Sequence, residues 1–276
     1  MKQQQTKLGI IAGGGSLPKA LIEACRRKKI PVFVLALKGQ AEPDILDGVE
    51  GLSVRLGAVG KMFRLLKKAG AGELVLIGSV RRPSIAEIYP DWQAFCMLCR
   101  VGFHLSGDDS LLKRILSETE KQGFRIVGID TLMPELLAPQ GIYGKVKPSS
   151  ADMADIQRGI EVTKALGQVD VGQAAIVQRG LVLAVEGIEG TGELIKRTAE
   201  LRRRGNGGVL VKVAKPQQDR RVDLPTIGPA TVQAVFDAGF KGIAVESGSA
   251  LLAESDAMIK LADRLGIFVM GVSCSP

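Results

Sequence analysis

The chain has 276 residues, 46% apolar and 24% charged, the make-up of one large or two medium globular domains with well-buried cores. Lys and Arg number 37 against 29 Asp and Glu, and the resulting charge of +8 favours acidic partners such as phosphate-bearing small molecules or an anionic membrane surface. Aromatic residues, at 4%, are too few for the stacking platforms of single-stranded nucleic-acid binders, and the four cysteines are too few for a disulfide scaffold, so reduced thiols and a cytoplasmic location are expected, with no nucleic acid as partner.

The opening "MKQQQTKLGIIAGGG" has a basic start, but glycines cut its apolar run at once, unlike a signal peptide. No stretch approaches the roughly 18 apolar residues of a membrane-spanning helix. "KLGIIAGGGSLPKALIEACRRKKIPVFVLAL" reads as strand, glycine turn, helix and strand, the signal of a parallel βαβ unit. Such a turn can bring backbone N–H groups up to a phosphate at a helix N-terminus, which makes Gly13, Gly14, Gly15 and Ser16 candidate substrate contacts. The alternative is a plain tight turn. Gly13 and Gly15 match only the first half of GxGxxG, Pro18 replaces the third glycine, and the second strand ends at Lys38 instead of a ribose-binding acid, which argues against NAD.

A helix is expected over 60–69 and a strand over 73–78, followed by "GSVRRPS". Loops after such strands line ligand crevices, so Gly78, Ser79 and Arg81 are candidates, with Arg81 and Arg82 able to grip a pyrophosphate or to stand as a solvated pair. Helices near 91–103 and 109–122 come next. Cys96 and Cys99 of "CMLC" have no second ligand pair, and His104 is the only histidine, so a zinc site is not indicated. In "GDDSLL", Asp108 and Asp109 are either substrate contacts or ordinary helix caps. A strand over 124–129 closes a Rossmann-like α/β domain, 1–132, and the Pro- and Gly-rich stretch 133–150 reads as a linker.

The second α/β domain, 151–276, begins with a helix over 151–167 and a hairpin around Arg179-Gly180. Glu186 and Glu189 stand at a strand end before a helix over 191–204, placed as metal ligands or caps, with Thr191 a candidate cap of that helix. A strand over 208–213, a helix over 229–238, a strand over 242–246, a helix over 255–265 and a strand over 267–272 follow. Two basic clusters, Arg26 to Lys29 and Arg202 to Arg204, are either solvated helix faces or attractors of anionic lipid, leaving peripheral contact with a membrane open.

The most unusual segment is "KPQQDRRVDLPTIGP", 215–229. Its prolines rule out a helix, and in an extended chain Asp219, Arg221 and Asp223 would share one side. Two carboxylates with Lys215, Arg220 and Arg221 suit a hard divalent cation, Mg²⁺ or Mn²⁺, with the basic groups on a phosphate. The alternative is an exposed loop of internal salt bridges.

In "IAGGGSLP", "GDDSLL", "EGTG" and above all "KPQQDRRVDLPTIGP", the chain resembles the UDP-2,3-diacylglucosamine pyrophosphatase family of the I type, from the lipid A pathway, over nearly its whole length. Gly192 departs from the family's pattern, which has an acid after "EGT". The resemblance implies two domains with the substrate between them, hydrolysis of a lipid-linked nucleotide sugar to UMP and 2,3-diacylglucosamine 1-phosphate, and dependence on a divalent metal. It singles out Asp223 as essential. In the mechanism expected from it, water attacks the phosphorus bearing the sugar, Asp223 and Asp219 hold the metal or orient the water, and Lys215 and Arg221 neutralise developing charge. Glu189 and Thr191 join the substrate contacts. A non-catalytic nucleotide or lipid-phosphate binding protein and a nucleotide-sugar transferase are the alternatives, and a homodimer stays open.

Overall fold

The computed structural model describes residues 7–80, 90–92, 94, 108–205 and 207–274. Arg81, Arg82, Cys96, Cys99, His104 and most of the helix expected near 91–103 lie outside the described residues, as do the side chains of Asp108 and Asp109. The chain divides into two compact units, Met1–Pro134 and Glu135–Pro276. No helix among the described residues is long and apolar enough to cross a membrane.

The first unit runs β1 (Lys7–Ala12), α1 (Leu17–Arg27), β2 (Val32–Leu37), β3 (Gly51–Val54), α2 (Val59–Lys68), β4 (Ala71–Ile77), α3 (Asp108–Lys121), β5 (Arg125–Ile126) and a short α4 (Ile129–Leu132). Its sheet has the order β3-β2-β1-β4-β5, with every pairing parallel. Helices crossing between parallel strands cover the sheet, so the central strands are apolar on both sides. Ile10, Val34, Leu35, Leu74 and Val75 accordingly have almost no exposure. The chain turns opposite ways from β1 to β2 and from β1 to β4, and the crevice at such a reversal is where open α/β sheets take ligands.

The second unit holds β6 (Gly141–Tyr143), α5 (Ser150–Gln168), β7 (Ala174–Gln178), β8 (Leu181–Val185), α6 (Gly190–Thr198), β9 (Val209–Lys212), β10 (Thr226–Ile227), α7 (Pro229–Asp237), β11 (Gly242–Glu246), β12 (Leu251–Leu252), α8 (Ser255–Leu265) and β13 (Phe268–Val272). Six strands pair in the order β6-β13-β11-β9-β7-β8. β9, β11 and β13 are mutually parallel; β6, β7 and β8 each join antiparallel. Side chains alternate across this sheet. Leu210, Ile243, Val245 and Val269 face Leu194 and Ile195 of α6, Val232 and Val235 of α7 and Met258 of α8. Val209, Val211, Ala244, Phe268 and Met270 face Ile156 and Ile160 of α5.

Ser149 and Asp152 form a capping box at the start of α5. Gly159 lets that helix lie against β9, since a Cβ there would meet Val211 at 2.4 Å. The hairpin turn places Arg179 and Gly180 at φ 56° and 76°. Its two exposed amides are taken by the buried Asp155 carboxylate, at 2.9 and 2.6 Å.

Of the stretch expected as linker, 133–150, all but its first two residues fall in the second unit. Ala138 N–H donates to Ala250 O at 2.9 Å, and β6 pairs with β13. Pro and Gly dominate the composition of the segment, but Tyr143 is 8% exposed and donates its hydroxyl to Pro139 O. Burial pushes the Tyr143 hydroxyl up to about 12. In the unfolded chain a tyrosine ionises near 10, so between these values the unfolded state binds fewer protons and stability falls as pH rises, by up to about 1.4 kcal/mol per pH unit. Tyr143→Phe should remove this component. Denaturant melts across that alkaline range measure it, and a parent-minus-variant difference that does not change with pH contradicts the burial.

Candidate active site

Because β9, β11 and β13 run together while β7 runs against them, one edge of the second sheet collects Lys212, Glu246, Gln173 and Glu186. The 215–229 segment leaves β9 at this edge and is fastened to it at each step. Val213 N–H donates to Gln173 O at 3.0 Å and Ala214 N–H to the Glu246 carboxylate at 3.0 Å. Lys215 Nζ pairs with Asp170 at 2.6 Å, and Gln217 donates to Gly167 O at 2.6 Å. Arg220 donates to Ser249 Oγ at 2.8 Å and to Gly248 O. The segment then closes through Leu251 N–H on Pro225 O and the parallel pair β10–β12.

The loop is therefore turned, not extended, and the expected shared face of Asp219, Arg221 and Asp223 does not form. Asp219 accepts the Arg221 backbone N–H at 3.1 Å, which folds the chain back, as Asp does in turns. It also accepts Arg221 Nε and Nη2, at 3.0 and 2.7 Å. The Val222 and Asp223 amides both return to Asp219 O, each at 3.1 Å. Lys215 is likewise drawn to Asp170 by its place at the other end of the loop. The Asp223 carboxylate is half-buried and makes no hydrogen bond or ion pair among the described residues.

Asp223 acts electrostatically on Lys212, which sequence reasoning missed because it reads as the polar exit of the strand "VLVK". Lys212 is 5% exposed, and its Nζ donates to Thr226 O at 3.2 Å. Burial pulls its ammonium below the usual lysine range, against the charges of Glu186 and Asp223, which raise it. Glu186 is equally buried and accepts Gln173 N–H at 3.0 Å and the Thr191 hydroxyl at 2.6 Å. Thr191 thus serves Glu186 and makes no cap for α6. Glu189 is paired with Arg197 at 2.7 Å, and that hydrogen bond holds its carboxyl below the usual range.

Among the described residues no three of His, Cys, Asp and Glu gather in a way that could hold a metal. Mg²⁺ needs no such cage, because one or two carboxylates with phosphate oxygens and water complete its shell. Asp223 fits that use. Asp219 has both oxygens turned to Arg221, which competes with a cation for them.

In the glycine turn of the first unit, the backbone groups of Gly13 and Gly14 are joined to the end of β4 and the loop after it. Gly13 N–H donates to Ile77 O and Gly14 N–H to Ser79 O, both at 2.8 Å, while Ser79 N–H returns to Gly14 O at 2.9 Å. Gly15 N–H has the Glu42 carboxylate at 3.4 Å. Gly13 and Gly14 are glycines because two loops cross here: a Cβ at Gly13 would stand 2.5 Å from Ser79 O, and one at Gly14 would stand 2.8 Å from Gln40 O. Gly78, at φ 95°, completes the crossing. Gly13→Ala should destabilise the protein by about 1–3 kcal/mol, as overpacking does, seen as a lower denaturation midpoint. A denaturation midpoint unchanged by the added methyl would contradict the close packing.

Two family models match: the LpxI N-terminal domain over residues 7–136 and the LpxI C-terminal domain over 139–270. The UDP-2,3-diacylglucosamine pyrophosphatase LpxI of Caulobacter vibrioides is 42% identical over 273 residues, 96% of this chain and 97% of that protein. Among solved structures, Bordetella bronchiseptica WbmG in complex with NAD and UDP is 10% identical, with a TM-score of 0.35 over 98% of this chain and 100% of that one. The N5-carboxyaminoimidazole synthase of Aspergillus clavatus is 14% identical, with a TM-score of 0.26 over 72% of this chain and 45% of that one. At such scores neither likeness carries an argument.

Proposed function

The chain belongs to the LpxI family, and from that premise we propose that it hydrolyses the pyrophosphate bond of UDP-2,3-diacylglucosamine in lipid A synthesis, releasing UMP and 2,3-diacylglucosamine 1-phosphate. The observation that carries the reading into this chain's own residues is the fastened loop that leaves Asp223 without a direct partner among the described residues, with its returning leg bonded to a buried lysine.

In this reading the water oxygen forms a bond to the phosphorus bearing the sugar. The bond from that phosphorus to the bridging oxygen breaks, the bridging oxygen leaves with UMP, and the proton that the water loses passes to solvent. Asp223 accepts a hydrogen bond from the water, orienting it, and is the carboxylate of the loop that has no direct partner among the described residues, open to a divalent cation. Such a cation, Mg²⁺ or Mn²⁺, would neutralise charge on the pyrophosphate. Arg221 is held by Asp219 in a fixed orientation and presents a preorganised cation to the developing charge. Lys215, 10% exposed at its side chain and paired with Asp170, anchors the start of the loop and adds positive potential.

Incubation in ¹⁸O-water with a divalent cation should place the label in the sugar 1-phosphate and none in UMP, and excess chelator should stop turnover. Label in UMP would move the attack to the other phosphorus. Full activity in chelator would remove the cation. Binding without cleavage would leave a binding protein, and cleavage that needs an acceptor other than water a transferase.

A further inference from the structure

We infer that Lys212 is the positioning residue for Asp223, holding the returning leg of the signature loop and supplying the charge against which the Asp223 carboxylate is set. The inference rests on the reaction proposed above and extends it to a residue outside the signature motif.

The three residues before Lys212 in β9 are fully buried apolar side chains, and a fourth would simply extend the core. An ammonium in that place is expensive unless it is compensated. Within the protein Lys212 Nζ makes one hydrogen bond among the described residues, to Thr226 O. Thr226 follows Asp223 by three residues, across the buried Leu224 and Pro225, so this bond ties the end of the strand directly to the leg of the loop that carries Asp223. Two carboxylates act on the ammonium, Glu186 and Asp223. Glu186 is already located by Gln173 N–H and the Thr191 hydroxyl. It is the fixed member of the trio, and Asp223 is the member whose place depends on Lys212.

The test is Lys212→Met in the full chain, assayed with UDP-2,3-diacylglucosamine at saturating divalent cation. Misplacing a reacting group by about 1 Å can slow a reaction about 10²-fold, so kcat should fall by roughly that factor while KM moves less than about threefold. Combined with Asp223→Asn, the lysine change should slow the enzyme no further, because both act through one carboxylate. A purely structural lysine would lower the melting temperature and leave kcat per folded molecule within about threefold of the parent, which would overturn the inference. If Lys212→Met alone does not fold, Lys212→Met with Glu186→Gln removes both buried charges. That double variant should fold and show the same loss of kcat, and near-parental turnover in it would again overturn the inference. A parent chain that releases no UMP contradicts the hydrolase reading itself, which is a separable failure.

Discussion

A lysine ammonium buried at the end of a strand must be compensated, and one edge of the second unit's sheet is organised around that requirement. β9 carries Lys212 into the core, and the antiparallel arrival of β7 and β8 brings Gln173 and Glu186 to the same level. The loop after β9 returns Thr226 O to the ammonium and places Asp223 among the charges acting on it. A charge buried with only part of its compensation destabilises a fold by several kcal/mol. The direction of the strands, the bond from Thr191 to Glu186 and the course of the signature loop therefore answer one electrostatic constraint.

The other charged groups of the signature are consumed in shaping it. Asp219 turns the chain by accepting the Arg221 backbone N–H and then holds the guanidinium, and Lys215 and Arg220 fix the two flanks to Asp170 and Ser249. A loop fastened at so many points loses little entropy when it binds a ligand, and its one carboxylate without a direct partner among the described residues is presented in a set position. The first unit shows the same economy in backbone form. Gly13, Gly14 and Gly78 let two strand-end loops cross at the reversal point of a parallel sheet, with reciprocal bonds between Gly14 and Ser79.

Much of this was legible in the sequence. The βαβ opening, the long helix at Ser150–Gln168, the hairpin at Arg179-Gly180 and the final β11–α8–β13 run were readable because their apolar spacing is regular and their turns carry glycine. β3, β6, β10 and β12 were not, because these strands of two to four residues lie outside the long apolar runs that marked β5 and β9, and β6 sits among prolines and glycines. The importance of the 215–229 segment was visible in its composition. Its shape was not, because side chains competing for backbone amides, as Asp219 does, decide between turned and extended chain. Lys212 was hidden for another reason: one lysine closing an apolar run looks the same whether it reaches solvent or stays buried beneath a loop that arrives later in the chain. The glycine turn showed its glycines but not their partners, because the contacts of Gly13 with Ser79 and of Gly14 with Gln40 come from loops distant in the chain.

The central claim is that Asp223 serves the chemical step and contributes little to holding the substrate. The most direct measurement is the single-turnover rate of Asp223→Ala on UDP-2,3-diacylglucosamine, with substrate affinity determined in parallel. Loss of a positioned group that orients water or a cation should slow the step by about 10²–10⁴-fold or more. The folded variant should retain intact substrate with an affinity equal to or above the parent's, since a negative charge beside the pyrophosphate has been removed. A folded Asp223→Ala protein with a rate within about tenfold of the parent would contradict the account and return the segment to a structural, salt-bridged loop.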